Sequence, residues 1–188
     1  PHTLILYGQR RMGKTSTLYQ LVGGERGKAI REYPNYPIYP VYIDLQRLAS
    51  SATGEFFERL SYQIMRHLSQ RGVEVPLPEV WSGEERVVTN GRSYHIFDGF
   101  LDRVEAALPH NGLLVLIVDE LEQLQASVER GHLSKSIFPY LRSLMQHRSK
   151  LTFILAGTTR LMEDYWSEIF HVGISREIGS LSRTETET

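Results

Sequence analysis

Eight residues near the start of the chain, Gly8-Gln9-Arg10-Arg11-Met12-Gly13-Lys14-Thr15, fill every fixed position of the pattern G-x-x-x-x-G-K-[ST]. Gly8 and Gly13 admit dihedral angles and close approaches that a Cβ forbids. A loop built this way turns its N–H groups inward as a nest for anions, and the helix after it aims its positive end at the same point. Lys14 is a compact cation suited to the terminal phosphates of a nucleotide, and Thr15 offers a hydroxyl to Mg²⁺. The expected nucleotide contacts run from Gly8 through Gln9, Arg10, Arg11, Met12, Gly13, Lys14 and Thr15 to Ser16. Four fixed positions arise by accident in a chain of this length on the order of 1% of the time, so a chance turn is rejected.

Phosphate binding alone hydrolyses nothing. The apolar run Leu113–Val118 supplies the second part, because it ends in the carboxylates Asp119 and Glu120. Ligands of a parallel sheet gather at the carboxyl ends of its strands, which places Asp119 beside the glycine loop. Asp119 is expected to orient the Mg²⁺ shell through water, because Mg²⁺ gives up its waters reluctantly. Glu120 is the candidate for activating the attacking water. An Asp-Glu pair also suits the start of a helix, but the phosphate loop about 100 residues upstream favours the metal and water roles. The glutamate, with no Asn-Lys-x-Asp guanine motif anywhere, points to ATP hydrolysis rather than to a GTPase or a small-molecule kinase.

A third group follows the run Leu151–Ala156: Gly157-Thr158-Thr159-Arg160. Two readings stand side by side. Thr158 and Arg160 touch the γ-phosphate or its water, with Arg160 neutralising charge. Alternatively, Thr158 or Thr159 caps a helix and Arg160 is solvated.

These groups need strands and helices to hold them. Thr3–Tyr7, Ile38–Leu45, Leu113–Val118, Leu151–Ala156 and Ile174–Leu181 read as strands. Between them, helices are expected over Lys14–Val22, around Phe56, Phe57, Leu60, Ile64 and Leu68 with Thr53 or Ser51 as cap, and around Ile96–Leu108. Further helices are expected over Leu133–Met145, bent at Pro139, and Met162–Phe170. Alternation of strand and helix predicts an α/β fold with parallel pairing. Residues 72–93, with Pro76, Pro78, Gly83 and Gly91, break the periodicity and read as a surface insertion.

Bulk properties agree with one ordinary domain. The chain has 188 residues, 41% of them hydrophobic and 23% charged, and a chain of this size buries roughly 70% of its unfolded surface. With 21 Lys and Arg against 22 Asp and Glu, the net charge of −1 gives nucleic acid no support. Arg142, His147, Arg148 and Lys150 read as a solvated helix end rather than a nucleic-acid patch. Cysteine is absent, which excludes disulfides and thiolate metal sites, and no histidine pair has helical zinc spacing. No run approaches the ~20 apolar residues that span a bilayer, so no membrane partner and a cytoplasmic location are expected.

The segments GQRRMGKTS, Ile43-Asp44-Leu45, IVDELE, AGTTRL and Asp164-Tyr165-Trp166 together resemble the bacterial and archaeal-type ATPases of the STAND group, signal-transduction relatives of AAA+ proteins. The resemblance runs from residue 3 to about 181. It implies a P-loop NTPase three-layer α/β/α sandwich with a mainly parallel five-stranded sheet of order 5-1-4-3-2. It also implies ATP or ADP with Mg²⁺ as ligands, flanking sensor and effector domains, and a nucleotide-dependent oligomer among the assemblies the family admits. Lys14, Thr15, Asp119 and Glu120 carry the family's site roles. On this resemblance residues 1–181 form the core, residues 182–188 begin a lid, and a segment before the first strand contacts adenine. The expected function is an ATP-hydrolysing switch. The rivals are a nucleotide-binding module with negligible hydrolysis and a DNA-loaded ATPase resembling replication initiators.

Overall fold

Five apolar segments pair side by side into a single parallel sheet. They are β1 (Thr3–Tyr7), β2 (Ile38–Asp44), β3 (Leu113–Asp119), β4 (Leu151–Gly157) and β5 (Gly173–Glu177). Their order is β2-β3-β4-β1-β5, the order that the resemblance implied. The computed structural model describes residues 3–23, 27–28, 36–48, 52–82, 90–158 and 166–179.

Alternation along β3 explains why this strand sits inside the sheet, between β2 and β4. Leu114, Leu116 and Val118 point into the larger apolar cluster, whereas Val115 and Ile117 point into the smaller one. Successive side chains of a strand face opposite sides, so a strand apolar throughout must be covered on both. Helix α1 (Lys14–Val22) covers the smaller face through Leu18. On the other face lie α2 (Thr53–Ser69) and α3 (Asn90–Ala107), whose Phe56, Phe57, Leu60, Phe97 and Phe100 are buried there. Two more helices, α4 (Glu122–Glu129) and α5 (Ile137–His147), connect β3 to β4.

Several local expectations shift. Thr53 does not cap α2: it is the first residue inside the helix, Ala52 takes the cap position, and no side chain bonds there. Ser51 lies outside the described residues. Helix α5 begins at Ile137, which puts Pro139 in the first turn, where its missing N–H leaves no bond unmade, rather than at a bend. Segment 72–93 is not surface throughout. Val73, Val75 and Trp81 are buried, Glu79–Ser82 forms a helical turn, and α3 already starts at Asn90. Residues 83–89 lie outside the described set. Of the helix expected over Met162–Phe170, the described part is the turn Ser167–Phe170. The fifth strand ends at Glu177 rather than Leu181.

Of the basic residues before β4, His147 is exposed as a helix end would have it, but Arg148 and Lys150 are internal connectors. Arg148 pairs with Asp98, Asp102 and Glu105 of α3, and only 14% of its side chain is exposed. Lys150 donates to the carbonyls of Glu105 and Leu108, which closes the end of α3. No helix among the described residues is long and apolar enough to cross a membrane.

Candidate active site

Parallel pairing brings the strand ends together: Tyr7 lies opposite Gly157, and Asp44 lies opposite Asp119. The glycine loop leaves β1 at this edge and returns as α1. Gly8 is fixed by crowding, because a Cβ there would stand 2.3 Å from the carbonyl oxygen of Ile178. That segment is tied down by the Ile178 N–H, which donates to Tyr7 at 2.7 Å. Gly13 has φ 82° and begins α1 from the left-handed region.

The loop residues Arg10, Arg11, Gly13, Lys14, Thr15 and Ser16 line one wall of a cavity of about 490 Å³. Asp119, Glu120, Glu122 and Gln123 line a second wall, and Gln46, Gly157 and Thr158 complete it. Gly8 and Gln9 contribute differently: their carbonyls hold the Lys14 ammonium at 2.9 and 2.7 Å. Met12 is half-buried and does not line the cavity. Arg160 and Thr159 lie outside the described residues.

Asp119 joins the two motifs. Its Oδ2 accepts the Thr15 hydroxyl at 2.7 Å and the Tyr42 hydroxyl at 3.0 Å, and its Oδ1 accepts the Glu120 N–H at 2.9 Å. The residue is only 2% exposed. A buried carboxyl group held by three neutral donors stands here with a hydroxyl oxygen beside it. Hard oxygen donors of this kind suit Mg²⁺, which takes one or two protein ligands and completes its shell with phosphate and water. Thr15 and Asp119 therefore fit the metal role.

Glu120 turns the chain sharply from β3 into α4. Its φ is 58°, its carbonyl accepts from Gln123 N–H, and Leu121 N–H is tied to Ala156 of β4. Arg11 has φ 66°, so the two non-glycine residues in the left-handed region among those described both line this cavity. Such conformations cost about 1–3 kcal/mol each and cluster at functional sites. Burial raises the pKa of the Glu120 carboxyl, with the Glu122 and Asp119 carboxylates adding to the shift and Arg10 opposing it. A carboxylate with raised proton affinity is a better base near neutral pH.

Thr158 stands at the end of β4, where its N–H donates to Glu122 Oε2 at 3.2 Å. Its hydroxyl is buried, with no hydrogen-bond partner among the described residues. Tyr42, Gln46, Glu122 and Gln123 are site residues that sequence reasoning did not single out. Tyr42 packs on Tyr19 with ring centroids 4.8 Å apart. Burial and the Asp119 carboxylate push its pKa far up, so the phenol stays protonated. The rule that put Asp119 at a strand end applies equally to the end of β2 at Asp44, and it would have flagged Gln46 just beyond it.

Residues 2–163 match the model of the AAA domain family. No curated protein sequence matches the chain. Among solved structures, the Aeropyrum pernix ORC1 protein in complex with DNA is similar over 100% of this chain and 42% of its own, with TM-score 0.62 and 12% identity. The Aeropyrum pernix ORC2 protein, solved as ADPNP-ADP complexes, is similar over 98% of this chain and 43% of its own, with TM-score 0.56 and 14% identity. Caenorhabditis elegans (C. elegans) PCH-2 is similar over 97% of this chain and 36% of its own, with TM-score 0.54 and 13% identity. At these identities the likeness is one of fold, and this chain spans less than half the length of each.

Proposed function

The chain belongs to the AAA domain family, and we propose that this core binds ATP with Mg²⁺ and hydrolyses it to ADP and phosphate. The observation that carries the reading is the Thr15–Asp119 hydrogen bond, which joins the glycine loop to the carboxylate strand end within one cavity.

Each role follows from chemistry at that wall. Lys14 exchanges the two loop carbonyls that now hold it for phosphate oxygens. Thr15 would ligate Mg²⁺ and Asp119 would hold its water shell, and the bound metal would neutralise phosphate charge. Glu120 accepts a proton from the attacking water; the bond from that water to the γ-phosphorus forms as the bond to the bridging oxygen breaks. The Thr158 hydroxyl, without a partner among the described residues, supplies a donor to the terminal phosphate, and Arg160 is assigned the same neighbourhood from the sequence. Glu122 holds the β4 end against this wall through the Thr158 N–H.

Within a longer protein, this core acts as a STAND-type switch whose nucleotide state sets the arrangement of flanking sensor and effector domains in the cytoplasm. Nucleotide-dependent self-association fits the same reading. DNA contact is not assigned to the core: its net charge is −1, and Arg148 and Lys150 are already engaged internally.

Glu120→Gln tests the assignment. Binding of ATP·Mg²⁺ should stay within about threefold while phosphate release falls about 10²–10⁴-fold, the usual worth of a general base. Equal phosphate release by wild type and variant ends this account.

A further inference from the structure

Asp119 receives more attention from its surroundings than the two motifs require. A carboxylate has about four lone-pair sites. In Asp119 the Thr15 and Tyr42 hydroxyls take both sites of Oδ2, and the Glu120 N–H takes one of Oδ1. Among the described residues a single site remains, on Oδ1.

Tyr42 differs from the other two donors in where it stands. It comes from β2, the strand next to β3, in a register that pairs Tyr42 with Ile117, two residues before Asp119. Its ring is backed by Tyr19 of α1, at a centroid distance of 4.8 Å and an angle of 32°. The phenol is thus gripped by one rigid strand and by the helix that follows the phosphate loop. Thr15 is itself a candidate metal ligand, and Glu120 is a candidate base at a strained turn. Tyr42 alone among the three donors has no other task at the site.

We propose that Tyr42 is a positioning residue for the metal site: by occupying Asp119 Oδ2 it fixes the carboxylate rotamer and leaves Oδ1 as the only oxygen presented to a metal-bound water. This rests on the nucleotide–metal reading of the cavity given above. Partners that orient a metal's ligands in this way are typically worth 10–100-fold in metal affinity. Because the phenol acts on the carboxylate and not on the phosphate loop, its loss should weaken the dependence on metal and leave metal-free nucleotide binding alone.

The test is a titration of Mg²⁺ against a fixed concentration of the fluorescent nucleotide mant-ADP, for wild type, Tyr42→Phe and Tyr19→Leu. The phenylalanine keeps the ring and removes only the hydroxyl. For Tyr42→Phe, the half-saturating Mg²⁺ concentration should rise by about tenfold, with mant-ADP affinity in EDTA unchanged. Tyr19→Leu, which unbacks the ring but keeps the hydroxyl, should shift it less and in the same direction. A Tyr42→Phe curve within twofold of wild type overturns the proposal. So does an equal loss of affinity in EDTA, which assigns Tyr42 a merely structural part. A wild-type protein that binds no mant-ADP at any Mg²⁺ concentration overturns the nucleotide reading itself, and this inference with it.

Discussion

Thr15 and Asp119 stand 104 positions apart in the chain, yet the hydroxyl of one donates to the carboxylate of the other across 2.7 Å. Two short motifs, each readable alone, are thereby one chemical unit. The parallel sheet makes the contact, because β1 and β3 flank β4 and their carboxyl ends open on the same edge.

Gly8→Ala should disrupt the fold locally rather than merely slow binding. The added methyl meets the Ile178 carbonyl oxygen at 2.3 Å, and that residue is held in place by its N–H, which donates to the Tyr7 carbonyl. Overpacking against atoms that cannot move costs about 1–3 kcal/mol. Urea unfolding should show a loss of that size, and a variant as stable as wild type removes the crowding argument.

Arg148→Met separates stability from function. The side chain is mostly buried between Asp98, Asp102 and Glu105, and its removal leaves three acids facing one another. Breaking such a partly buried network should cost about 2–3 kcal/mol. Arg148 lies before β4, at the far end of a seven-residue strand from the cavity. Nucleotide affinity, measured where the variant is folded, should be unchanged; a loss of affinity contradicts the separation.

Glu120 links the site to pH. Its carboxyl pKa is raised above 4.5, chiefly by burial, so the folded state holds that proton more tightly than the unfolded state does. The stabilising effect of the proton is fully present below 4.5 and is lost as pH rises through the folded value. Glu120→Gln cannot ionise. It should therefore melt at a higher temperature than wild type near pH 7–8, with the advantage shrinking to nothing as pH falls toward 4.5. Melting curves that keep a constant separation across that range sink the argument.

The features legible in the sequence were the local ones. The glycine loop is contiguous, and its spacing encodes its geometry. Leu113–Asp119 announces both its burial and its terminal carboxylate. Tyr42 was not legible, because its role depends on register: only pairing with β3 puts its hydroxyl on Asp119. Glu122 was passed over beside Glu120 for a similar reason, since its partner Thr158 is 36 residues away.

Prolines misled where tertiary packing prevailed. Pro76 and Pro78 mark an irregular stretch correctly, but irregular is not exposed, and Val73, Val75 and Trp81 around them are core residues. Pro139 was expected to bend a helix that instead starts two residues before it. Arg148 and Lys150 look like surface charge in one dimension and become internal once α3 supplies acids and carbonyls.

The most direct measurement is calorimetric titration of ATP into wild type, Lys14→Ala and Asp119→Ala, each with and without Mg²⁺. Charge-assisted hydrogen bonds are worth about 1.5–3 kcal/mol each. Lys14→Ala should accordingly lose roughly tenfold to a hundredfold in affinity under both conditions. Asp119→Ala should match wild type without metal and fail to gain from its addition. Three indistinguishable isotherms would contradict the claim that this lysine and this carboxylate grip one nucleotide–metal unit.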